Sequence, residues 1–183
     1  MYPEYAEIKG KKYKIDTDFE TALKCFEIVD DKTITDFERA NAIVYLLFDF
    51  IPKKNLNLFL EKAIKYLQCG QELETQKSKT KDMDFKQDRG YINSSFMSTY
   101  HIDLSKEKLH FWQFIEYLEG LSENCSLNIV REIRNFDLSK EKDPKRKNEI
   151  MEAKRRYALK KEKKEATKEQ QESANEFYKN LKI

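Results

Sequence analysis

Apolar residues in this chain recur mostly at helical spacing. Phe19, Leu23, Phe26 and Val29 form one stripe, and Leu56, Phe59, Leu60, Ala63, Ile64 and Leu67 form another. Between them, Ala40, Ile43, Val44, Leu47 and Phe48 lie in a stretch where only Asp49 interrupts the apolar run from Ala42 to Ile51, so this helix is expected to be central. Thr17-Asp18-Phe19-Glu20 and Thr35-Asp36-Phe37-Glu38 have the form of capping boxes: a Thr hydroxyl accepts from the third helical amide while Glu reaches back. Pro52 is expected to end the second helix, and Gly70 the third. Before the first stripe, Tyr5, Ile8, Tyr13 and Ile15 alternate about Gly10, the pattern of a two-stranded hairpin that must pack on helices.

Past Gly70 the pattern lapses. Gln71–Lys81 holds one apolar residue, Leu73, and reads as a solvated linker. Helices are then expected from about Asp84 to Tyr100, from Ser105 (Leu109, Trp112, Ile115, Leu118) to Gly120, and from Ser122 (Leu127, Val130, Ile133). Asp143-Pro144 joins an N-cap residue to the favoured first-turn proline, ahead of Ile150, Ala153 and Tyr157. A further capping box at Thr167 and the apolar Phe177, Tyr178 and Leu181 predict a last helix. No domain-scale repeat is apparent. The pattern predicts a mainly α fold: a compact multi-helix domain with a small N-terminal β-hairpin and a long charged C-terminal helical segment. The body spans 1–139 with a mobile linker at about 71–82, and the tail spans 140–183.

Composition narrows the function classes. The 183 residues include 4 Gly and 3 Pro, too few for a many-stranded barrel, and the isolated glycines form no phosphate-binding loop. Aromatic content of 13% marks a chain that can bury a core. Lys+Arg total 35 against 33 Asp+Glu, for a net charge of +2. That balance hides a split, because Lys140–Lys168 holds 13 cations and 6 carboxylates, giving +7 and leaving −5 for the rest. The longest apolar run, Ala42–Phe48, is too short to cross a membrane, and the start has no signal-peptide pattern. Cys25, Cys69 and Cys125 are odd in number and widely spaced, as in a soluble protein of a reducing compartment.

No constellation of catalytic, metal-binding or cofactor-binding residues stands out. His101 and His110 lack zinc spacing, Cys25 sits on an apolar helical face, and Asp82, Asp84 and Asp88 lack the glycine and ligand count of a calcium loop. The expectation is a non-enzymatic protein without cofactor. Two segments carry candidate binding residues. His110, Phe111, Trp112, Phe114 and Tyr117 are either a core helix anchored by Trp112 or rings that dock a partner. Lys154, Arg155, Arg156, Lys160, Lys161, Lys163 and Lys164 are either the solvated face of a helix, supported by pairs such as Glu152–Arg156, or a surface for nucleic acid.

The opening Ile8-Lys-Gly-Lys-Lys-Tyr13-Lys-Ile15-Asp-Thr-Asp-Phe19 resembles that of phage tail-assembly chaperones. Asp103-Leu-Ser-Lys-Glu-Lys-Leu109-His110-Phe-Trp112-Gln-Phe114, with Leu118, Leu121 and Ile133-Arg134-Asn135, resembles the bacteriophage gene-product-fifteen family of long-tailed phages and prophages of Gram-positive bacteria. The similarity covers about residues 2–180, and Phe111 stands where Trp is expected in relatives. The resemblance implies a helical tail-morphogenesis protein without catalytic residues. It would act in the bacterial host cytoplasm as an assembly chaperone for the tape-measure protein, the major tail (tube) protein or both, and be absent from the mature virion. A nucleic-acid-binding or packaging accessory protein and a minor virion component are the alternatives.

Overall fold

The computed structural model describes residues 2–71 and 81–160. Strands β1 (Tyr5–Ile8) and β2 (Lys11–Lys14) are followed by helices α1 (Phe19–Asp30), α2 (Asp36–Phe48), α3 (Leu56–Leu67), α4 (Arg89–Tyr100), α5 (Phe111–Glu119), α6 (Ser126–Asn135) and α7 (Pro144–Tyr157). The fold is mainly α with one antiparallel hairpin. Its described residues divide into two units, one of 2–71 with 109–114 and the other of 81–108 with 115–160.

In the first unit, Lys9 and Gly10 both take positive φ, which suits the two-residue turn between β1 and β2, and Ile8 pairs with Lys11. Ala6 and Ile8 turn inward, and β1 meets α3. α1 packs on α2 and α2 on α3 around Phe19, Ala22, Ile43, Val44, Leu47, Phe59 and Ala63. Thr35 forms the expected capping box: its hydroxyl accepts from the Glu38 amide and its own amide donates to the Glu38 carboxylate at 2.8 Å. The first helix differs from expectation. Asp18, not Thr17, caps α1, accepting from the Glu20 amide at 3.0 Å. The cause is an extended pairing, in which the Phe19 amide donates to Leu109 O and the Phe111 amide to Thr17 O, so residue 17 is already committed. α2 ends before Pro52, at Phe48, with Asp49 in the left-handed region.

A buried arginine locks the α1–α2 turn. Arg39 is 1% exposed; Nε donates to Ile28 O, Nη2 to Asp31 O and Ile34 O, and Nη1 to Asp36 Oδ1 at 2.6 Å. Asp31 O and Ile34 O lie in the turn between α1 and α2, and Ile28 O, in the last turn of α1, also takes the Asp31 amide at 3.3 Å.

In the second unit, α4 packs on α6 and α6 on α7. Three helices start later than their sequence signals suggest. α4 begins at Arg89 because Asp84 Oδ1 takes the amides of Lys86 and Gln87, and Asp88 Oδ2 takes that of Asp84, which holds the preceding residues in turns. α5 begins at Phe111, not Ser105, because the Ser105 amide and hydroxyl bond back to Asp103 Oδ1. α6 begins at Ser126, where Ser95 on α4 supplies the cap by accepting from the Leu127 amide at 3.0 Å. α7 starts as expected, Asp143 accepting from the Lys145 amide ahead of Pro144. The expected last helix, with Thr167, Phe177, Tyr178 and Leu181, lies outside the described residues, as does most of the expected linker.

Candidate functional site

The aromatic segment begins at His110, the residue before α5. His110 caps that helix: its Nδ1 accepts from the Trp112 amide at 3.1 Å while Nε2 lies 3.1 Å from Pro3 O. A bond on each nitrogen fits the neutral ring with its proton on Nε2. Tyr2 stacks on the imidazole with centroids 4.9 Å apart. Phe111 and Phe114 are 1% and 0% exposed, their rings engaged with Phe26 and Phe19 respectively; the Phe19–Phe114 stack has a centroid separation of 4.7 Å. Trp112 is half-buried, and its indole N–H donates at 2.9 Å to Tyr66 O, a carbonyl in the last turn of α3 that also accepts from the Cys69 amide at 3.0 Å. Its ring also lies over Gly70, where a Cβ would come within 3.1 Å of Cη2. At φ +72° that position favours glycine on conformational grounds as well.

The structure therefore brings His110, Phe111, Trp112 and Phe114 together in the first unit, with Tyr66 as the hub that meets the first three rings. Burial raises the Tyr66 phenol well above its ordinary pKa, with further contributions from Cys69, Asp16, Cys25 and Asp18. Cys25 nearby is pushed up to about 12, chiefly by burial and then by Asp16. A thiol held so far from ionisation is a packing group rather than a nucleophile. Tyr117 belongs to the second unit, stacked on Tyr100 at 4.8 Å, whose hydroxyl donates to Tyr117 O at 2.9 Å.

The basic residues separate by role. Lys154 Nζ donates to Arg134 O and Phe136 O at 2.7 and 2.6 Å, which satisfies the C-terminus of α6. Lys160 is exposed, with its backbone paired reciprocally to the Gln87 side chain at 2.8 and 3.0 Å. Arg155 and Arg156 are exposed on α7. Lys161, Lys163 and Lys164 lie outside the described residues.

Asp88 and Arg134 form a polar centre that charge patterning did not single out. Asp88 is 1% exposed, and its two carboxylate oxygens each accept from the Arg134 guanidinium at 2.7 Å. Arg134 also donates to Asp82 O and Tyr157 O, so one side chain ties together the approach to α4, α6 and the end of α7. The Asp88 bond raises the Arg134 pKa further, against burial. No group of three or more His, Cys, Asp or Glu among the described residues is placed to hold a metal ion. A shallow cleft of about 300 Å³ at the end of α2 is lined by Lys14, Asp16, Thr17 and Asp49 among others. The Asp16 carboxylate there is occupied by the Asp18 amide and the Thr21 hydroxyl.

Comparison with protein families adds the deciding observation: the model described as Bacteriophage Gp15 protein matches residues 2–159. The chain belongs to the bacteriophage Gp15 family. The match takes in the Trp112 and Arg134 centres and stops just short of Lys160 and the lysines after it. No curated protein matches this Gp15 chain, and neither does any solved structure. Among the described residues, no helix is long and apolar enough to cross a membrane.

Proposed function

We propose that this Gp15 chain is a non-enzymatic morphogenesis protein, a tail assembly chaperone that binds the tape-measure protein, the tail tube protein or both in the host cytoplasm. The family match over residues 2–159 is the observation that carries the reading. A supporting observation is that Cys25 and Tyr66, the titratable groups raised furthest above their ordinary pKa, are raised chiefly by burial, as packed core groups are. A long helical client with apolar stripes would aggregate before the tube closes round it, and a small helical protein that covers those stripes reversibly keeps it soluble. Co-expression with the tape-measure protein of the same phage is expected to raise that protein's soluble fraction and give a complex that elutes together. Unchanged solubility with no complex defeats the reading. Recovery of the chain from purified virions would instead make it a minor structural component.

A further inference from the structure

Among the described helices, α7 alone has no buried side chain; each of the others has at least two. Ile150, Ala153, Lys154 and Tyr157 recur at i, i+3, i+4 and i+7, and all four are only half-buried, as is Met151. The attachment of α7 is largely polar. Lys154 Nζ donates to Arg134 O and Phe136 O, and Arg134 Nε donates to Tyr157 O at 2.6 Å. Just past the helix, the Gln87 side chain pairs with both the N–H and the carbonyl of Lys160. A ring contact adds to these bonds, Tyr157 standing edge-on to Tyr91 with centroids 6.2 Å apart.

Lifting α7 away strips little from the residues beneath it. Arg134 keeps both Asp88 oxygens and Asp82 O, so the buried Asp88 carboxylate stays paired. Arg134 O and Phe136 O lie at the end of α6, where water can replace the Lys154 ammonium, and Gln87 is already exposed. The packing of α4 on α6, with Ile92, Ser95, Phe96, Leu127 and Val130 buried, takes no buried side chain from α7. The start of α7 is held by its own neighbours. Asp143 accepts from the Lys145 amide, while Glu141 accepts from the Asp143 amide and pairs with Arg146 at 3.3 Å. These groups travel with the helix, so the hinge falls at residues 136–137.

We propose that residues 144–160 form a strap that opens as one unit while α4 and α6 stay folded. Opening uncovers the Tyr91 ring and the face of α7 that carries Ile150, Ala153 and Tyr157. A lone helix of 14 residues is marginal in water, and Lys145 and Arg146 in its first turn oppose the helix dipole, so the released strap unwinds. The strap is a property of the second unit and does not depend on the chaperone reading.

The test is amide hydrogen exchange on the full chain, read by mass spectrometry in urea below the unfolding transition. Amides from Asn148 to Tyr157 are expected to share one level of protection, about a hundredfold or more below the slowest amides of α4 and α6. Their exchange should depend weakly on urea, because opening exposes little surface. Lys154→Met keeps the stem and removes the ammonium; it should speed exchange in α7 about tenfold and leave α4 and α6 within about twofold. Gln87→Leu, at an exposed position, should speed α7 about threefold. Exchange of α7 at the same rate as α4 and α6 overturns the proposal. So does a steady fall in protection toward Tyr157, which is fraying from the end, and so do variants that act on all three helices alike or on none.

Discussion

Removing Arg134 should be among the most damaging single changes in the second unit. Arg134→Met keeps most of the stem volume and deletes the guanidinium. Asp88, 1% exposed, would then hold a buried carboxylate with the Asp84 amide as its remaining partner among the described residues. Breaking one side of a buried ion pair costs about 3–5 kcal/mol, because the remaining charge keeps its desolvation penalty. The carbonyls of Asp82 and Tyr157 also lose their donors, adding about 1 kcal/mol each where water does not replace them. Against a typical total of about 5–15 kcal/mol, that loss is enough to unfold much of the second unit.

Urea unfolding followed by far-UV circular dichroism measures the loss, and amide exchange locates it. Protection should fall first in α7, whose Tyr157 carbonyl Arg134 holds, and in residues 82–88. Trp112, the only tryptophan, lies in the first unit and gives a separate signal. A double mutant supplies a second check. Asp88→Leu/Arg134→Met removes both charges, and paired replacement by apolar groups is commonly close to neutral, so it should recover most of the single-mutant loss. A cost below about 1 kcal/mol for Arg134→Met, or a double mutant as unstable as the sum of the singles, would refute the account.

Trp112→Phe removes the indole bond to Tyr66 O, which keeps the Cys69 amide, and part of the surface over Gly70; a loss of about 1–3 kcal/mol in urea unfolding is expected, and no loss would contradict the indole's part in holding this corner. Of the three thiols, half-buried Cys69 should react with iodoacetamide in the folded protein at pH 8, while Cys25, raised by burial to about 12, stays unlabelled; mass spectrometry that finds Cys25 modified first counts against its placement. The Asp103 carboxyl is lowered to about 2 by the Lys106 ammonium and then by the Ser105 hydroxyl and amide. Because the folded value lies below the ordinary 3.8, its stabilisation is present above that pH and is lost as pH falls toward 2. Carboxyl NMR should place its midpoint near 2, and Asp103→Asn should flatten the acid limb of stability between about pH 4 and 2.

Much of the architecture was legible because local signals and packing agreed. The Thr35 box, the Asp143-Pro144 start and the α3 stripe all appear where the residues put them. Helix starts were misplaced wherever a side chain competed for the backbone. Thr17 and Asp18 are both good caps, and only the pairing of 17–19 with the distant 109–111 decides between them. Ser105 looked like a cap but spends its amide and hydroxyl on Asp103. Buried Arg39 and half-buried Arg134 were harder to see. Arginine is mostly exposed, so Arg39 and Arg134 gave no compositional sign of burial, and Arg134 drew notice only within the family-like Ile133-Arg134-Asn135.

The scarcity of glycine and proline raises the question of how this chain turns at all, and aspartate supplies the answer. Asp16, Asp18, Asp31, Asp84, Asp103, Asp137 and Asp143 each accept, through Oδ1, the amide two residues further on. Such a turn offers the backbone a local partner in place of the next helical carbonyl, so it ends or delays a helix without glycine's conformational freedom. The hexapeptide Asp-Leu-Ser-Lys-Glu-Lys occurs twice, at 103–108 and 137–142, and makes the same turn both times: the Ser amide and hydroxyl on the Asp carboxylate, and the Lys amide on the Asp carbonyl. The helices downstream of the two copies differ, a His110-capped aromatic one after the first and an Asp143-capped basic one after the second, so the turn is set by its own residues. Carboxylates whose abundance invites an acid–base or metal reading are thus consumed in shaping the chain. In both copies the turn's own bonds help hold the carboxyl below the usual carboxylate range, Asp103 through Lys106 and then Ser105, Asp137 through Ser139, so acid that protonates them should weaken both turns together.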